Sequence, residues 1–143
     1  MKPAPLAALA LAVAAAAPAF AQPAPLPPEV REAAGCAAVF MTMGRLASDP
    51  QTTGGDPLMG ALGSAFGRSW QVKGRSLHQR AVEEARRRRI APEVVFEAGV
   101  NYLVDAYATA RAAAPGGQAD LTTEAARLVE RCVTVFPDGE SEY

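Results

Sequence analysis

Cys36 and Cys132 are the only cysteines in a chain of 143 residues, and 96 positions separate them. Bonded, they hold their Cα atoms within about 7 Å and force the first and last parts of the domain together. Every fold that keeps those segments apart is then removed. Whether they bond is a question of compartment, and the N-terminus bears on it. It reads MKPAPLAALALAVAAAAPAFAQ: one cation at Lys2, an apolar run from Leu6 to Ala17, Pro18, then Ala19 and Ala21 around Phe20. This is the layout of a secretory signal cleaved before Gln22, and the run is too short for a membrane span. Export, with the bacterial periplasm as the expected destination, makes a Cys36–Cys132 disulfide the default. A lipid-modified Cys36 behind AAGC is the rival, but Glu29, Arg31 and Glu32 stand between it and the apolar run. Closing so long a loop stabilises by up to about 4–5 kcal/mol in the loop-entropy model.

The rest of the chain reads as helix. Behind the signal (1–21) and a proline-rich leader (22–27), four segments with helical periodicity fill 28–137, and an acidic tail, DGESEY, closes 138–143. No alternating strand pattern is present. The expected fold is all-α, a small up-down four-helix bundle closed by one disulfide. The first helix, about Pro28 to Ser48, carries no charge between Glu32 and Arg45 and should be the most buried. The second, about Pro57 to Arg89, starts with Asp56 as N-cap and Pro57 at its first position; Met59, Leu62, Phe66, Trp70, Leu77 and Ala81 form its expected core stripe. The third opens at Pro92 with Val95, Phe96, Gly99, Tyr102 and Leu103 inward. The fourth starts near Thr122 and ends before Pro137, with Leu128, Cys132 and Phe136 on one side.

Gly60, Gly63, Gly67 and Gly74 fall on one side of the second helix, a costly choice at roughly 1 kcal/mol each relative to alanine. Their clustering predicts a surface that something approaches closely. That something is a neighbouring helix, or a ligand in a groove bordered by Gly63, Gly67, Trp70, Gly74 and Tyr102.

Charge is unevenly spread. From Pro57 to Pro92 eight cations face only Glu83 and Glu84, a balance of +6, whereas the rest of the chain after the signal is acidic. Such a division suits self-complementation as well as an acidic partner. The densest cluster, Arg86, Arg87, Arg88 and Arg89, is expected in the last turn of the second helix. There cations favour the unpaired carbonyls, and Glu83–Arg87 and Glu84–Arg88 have the favourable four-residue order. Arg86 and Arg89 are the freer pair, a docking patch for an acidic envelope surface, an unknown protein or anionic lipid. Nucleic acid is not an expected partner of an exported chain of net negative charge.

Catalytic chemistry has few footholds. His78 is the only histidine, so a hydrolase would be built around it or around Glu97 and Asp105. Those two share one side of the third helix with Asn101, where a solvated polar face is the plainer reading. With one histidine and both thiols bonded, no zinc spacing remains, and no cofactor or metal is expected. The sequence reads as an exported non-catalytic accessory or protein-interaction module. A carrier of an apolar small molecule or lipid is the first alternative, a hydrolase the second.

Overall fold

A computed structural model describes residues 25–51, 54–113 and 121–137; the expected signal (1–21), half of the leader (22–24) and the acidic tail (138–143) lie outside them. Four helices follow in order: α1 (Pro28–Ser48), α2 (Pro57–Arg87), α3 (Pro92–Ala113) and α4 (Leu121–Val135). No strand occurs among the described residues. Local chemistry sets the boundaries. Pro28 occupies the first turn of α1, and Asp49, held extended before Pro50, ends it. The Asp56 carboxylate accepts from the backbone N–H of Leu58 at 2.8 Å and of Met59 at 3.2 Å, capping α2.

Cys36 and Cys132 are bonded, with Cα atoms 5.3 Å apart. Ion pairs also tie α1 to its neighbours. Arg88 bridges to Glu29 at 3.1 Å and Arg131 to Glu32 at 2.8 Å. The Glu32 hydrogen bond, with Tyr102 nearby, raises the Arg131 pKa, so this pair binds a guanidinium that stays charged.

The four helices are not arranged as a square. α1 packs on all three others, whereas α2 and α4 scarcely touch. Small residues make α1 the hub by letting backbones come close. Gly44 and Ala37 present carbonyl groups to Gly67 and Gly74 of α2, while Ala34 and Ala38 receive Gly99 of α3. A methyl built on Gly74 would lie 2.8 Å from the Ala37 carbonyl oxygen, and one on Gly35 only 2.5 Å from the Tyr102 ring. These contacts also fix direction: α2 runs opposite to α1, and α3 runs with it. Phe40 and Val39 of α1 are fully enclosed with the disulfide and Leu77; Leu26, Val30, Ala81, Ala85, Ile90 and Val95 form a second cluster at the other side. Fully burying side chains such as Phe40 and Val95 contributes about 1.5–3 kcal/mol each. Leu26 belongs to this core although it lies within the leader, because the chain turns into α1 directly over Ile90 and Val95.

Two sequence expectations about the core are corrected. Met59, Leu62 and Phe66 do not face the interior. α2 has 31 residues and α1 only 21, and Gly67 already lies against Gly44 and Ser48 in the last turn of α1. The turns of α2 ahead of Gly67 therefore run past the end of the hub, leaving Leu58 69% and Phe66 64% exposed. On α3, α1 covers Val95 and Gly99, but Phe96, about 100° further round the helix, is 65% exposed.

Candidate functional site

The arginine run forms a corner rather than a helical turn. α2 ends at Arg87, and Arg88 is its C-cap. The N–H of Arg89 donates to the Arg86 carbonyl at 2.9 Å and that of Ile90 to the Ala85 carbonyl at 2.9 Å, the paired bonds of a Schellman ending, with Ile90 packed in the same cluster as Ala85. Arg89 takes the left-handed position, φ 59°, that usually holds glycine. Only Arg86 and Arg87 thus lie in the last turn, which corrects the expectation for all four. Glu84, not Glu83, partners Arg87 at 3.5 Å, and it also holds Arg88 at 2.9 Å. Arg88 bridges onward to Glu29, so the cluster clamps the start of α1. Arg86 and Arg89 remain exposed. Exposed pairs of this kind contribute about 0–1 kcal/mol each.

The five residues of the expected groove do not come together around one open space. Gly67 and Gly74 carry the backbone of α1 where a groove needs room, and Tyr102 covers Gly35 on the α3 side. Trp70 lines a different feature, an open cleft of about 730 Å³ between α1, α2 and α4. Its walls are Met43, Leu46, Trp70, Val129 and Val133 with two alanines of α4, and Glu130 and Thr134 are its polar members. It lies over Met43 and Leu46 of α1, between α2 and α4, which scarcely touch. Glu97, Asn101 and Asp105 are exposed and border a smaller cleft of about 260 Å³ with Arg31 and Tyr102. His78 is half-buried on α2 and lines neither cleft. Among the described residues no group of three or more metal-ligating side chains assembles, and no helix is long and apolar enough to cross a membrane.

The most unusual feature of the surface is apolar. Leu58, Met59, Leu62, Phe66 and Val72 on α2, and Phe96, Val100, Val104 and Tyr107 on α3, are large hydrophobic side chains left exposed. Leu58, Leu62 and Phe66 repeat at four-residue spacing, as do Phe96, Val100 and Val104, so each set forms a stripe along its helix. Their flanks differ in sign. Between Asp56 and Glu83, α2 holds Arg68, Lys73, Arg75 and Arg80 and no acid; α3 holds Glu93, Glu97 and Asp105, with Arg111 in its last turn. Sequence pattern assigned four of these nine, Met59, Leu62, Phe66 and Phe96, inward, because an apolar arc looks the same whether a neighbouring helix covers it or ends short of it.

No protein-family model, curated protein sequence or solved structure matches this chain. What is defined is an all-α helical bundle with one internal disulfide. Function has to be argued from its surface.

Proposed function

We propose that the chain is an exported, signal-cleaved, non-catalytic module of the bacterial periplasm, an up-down bundle that works by holding a protein surface against the stripes of α2 and α3. The observation that carries this reading is the set of nine large apolar side chains exposed on two helices. Contiguous apolar surface of more than a few hundred Å² is uncommon on small soluble domains and marks contact sites. The test is crosslinking in cells: a photo-reactive residue replaces Leu62 or Val100, with exposed Gln79 as control. Discrete protein adducts at Leu62 and Val100, and none at Gln79, are expected. Adducts at neither stripe would overturn the reading.

The cleft beside Trp70 favours one second reading, a carrier of an apolar small molecule. At about 730 Å³ it falls in the size range of ligand pockets, and its walls are almost entirely hydrophobic. Trp70 is the only tryptophan, so a fatty-acid titration read by its fluorescence tests this directly. A saturable shift abolished by Ala125→Leu, which narrows the cleft without adding a second tryptophan, supports a carrier; no shift rejects it.

A further inference from the structure

We infer that the occupant of the α3 stripe is the α3 stripe of a second copy of this chain, the two helices lying antiparallel about a two-fold axis level with residue 102. The inference rests on the interaction reading above and names the partner for one of its two stripes. α1 covers α3 from the side of Val95 and Gly99. Val100 and Val104 stand about 100° and 140° round the helix from Gly99, on a side where Phe96, Val100, Val104 and Tyr107 are all exposed. This face runs along α3 away from the hub, so nothing of α1 stands between two such faces.

Charge closes both ends of the stripe with opposite signs. Glu93 lies in the first turn of α3 and Arg111 in the last. They are five full turns or about 27 Å apart, which puts both on the line of Val100. Both side chains are exposed, and among the described residues neither has an ion-pair partner in its own chain. Antiparallel pairing about residue 102 sets Glu93 of each copy against Arg111 of the other. It also brings Val100 to Val104 and Phe96 beside Tyr107, and the two-fold axis makes every one of these contacts twice. Parallel pairing would set Glu93 on Glu93 and Arg111 on Arg111, like charges at both ends. An apolar stripe alone does not choose a direction; these two charges, equidistant from residue 102, do. The four apolar side chains and the charged ends remove about 500 Å² from each copy, about 1,000 Å² in all, so the dimer is a weak one at the low end of specific interfaces.

The experiment is the molar mass of the purified protein, by light scattering and sedimentation, as its concentration rises to about 0.1 mM, where even a transient interface of this size associates. A rise to twice the chain mass is expected. Val100→Glu should weaken association about tenfold or more with an unchanged circular dichroism spectrum, since the residue faces away from the hub. Leu62→Glu, on the other stripe, should leave the dimer intact. Glu93→Arg and Arg111→Glu should each weaken association about tenfold through like-charge contact made twice; combined in one chain they should recover most of it. A wild type that stays monomeric throughout overturns the inference. So does a dimer that Leu62→Glu breaks and Val100→Glu spares, or a double charge reversal that associates no better than the single ones. If the protein is monomeric while the cellular crosslinks at Leu62 and Val100 capture other proteins, the interaction reading stands and the second copy falls. If those crosslinks capture nothing while the purified protein forms a dimer in this register, the pairing stands and the wider reading falls.

Discussion

The two ends of the bundle are built from similar residues and behave differently. At the end where α1 begins, Leu26, Val30, Ile90 and Val95 close over one another, Arg88 clamps Glu29, and the disulfide with Arg131–Glu32 holds α4 in place. Where α1 ends, α2 continues alone, Leu46 and Phe66 stand in the open, and a cleft separates α1 and α2 from α4. α2 spans both regimes: Leu77 is 4% exposed and Leu62 47%. Apolar character is common to both halves; the difference is whether a hub helix lies beneath. Stability is concentrated at the tied end, which leaves the other free to present apolar surface without holding the domain together.

Cutting the tie should give the largest effect. Replacing Cys36 and Cys132 with serine is expected to cost up to about 4–5 kcal/mol, and melting should fall by ten degrees or more, about 2–4 degrees per kcal/mol or above for a domain of this size. Hydrogen exchange should accelerate most in α4, which has few other contacts; uniform acceleration across all four helices would show that the tie supports the whole bundle instead.

Next in size is the contrast along α2 itself. Leu77→Ala should destabilise by about 2–5 kcal/mol, the usual cost of emptying a core site, and Leu62→Ala by less than about 0.5 kcal/mol in dilute protein. Equal costs, measured by urea unfolding, would mean that the N-terminal half of α2 is packed after all.

Gly74→Ala tests the hub. The added methyl meets the Ala37 carbonyl oxygen at 2.8 Å, and forcing α1 and α2 apart should cost about 1–3 kcal/mol. An increase in stability, the ordinary result of replacing a helical glycine that faces solvent, would refute close packing.

The smallest expected effect has the opposite sign. Arg89→Gly should stabilise the protein by about 1 kcal/mol, because glycine occupies the left-handed position without the Cβ clash. No gain in melting temperature would show that the arginine side chain compensates for its backbone.

Much of the architecture was legible because its signals are local. Pro28, Asp56–Pro57, Pro92 and Pro137 punctuate the chain wherever they occur, and the helices follow them within one or two residues. The disulfide was legible from the count of cysteines together with the signal-like pattern of the N-terminus. The glycines were legible as a contact surface, yet not as one that excludes a groove: Gly67 and Gly74 are filled by α1, and nothing in their spacing says which element arrives. The candidate site was read least well. Phe66 and Phe96 were assigned inward because periodicity reports that one side of a helix is apolar, not what covers it.

The sequence by itself determined four helices, their caps and breaks, and the pairing of Cys36 with Cys132, since each depends on backbone geometry and chemistry within a few residues or on a choice with a single solution. Only the tertiary structure decided that α1 is the hub, that α2 outruns it, and that the stripes bearing Leu62 and Val100 face outward. Those facts depend on how far helices of unequal length overlap when Gly44 meets Gly67, a register set by close packing between segments distant in the chain.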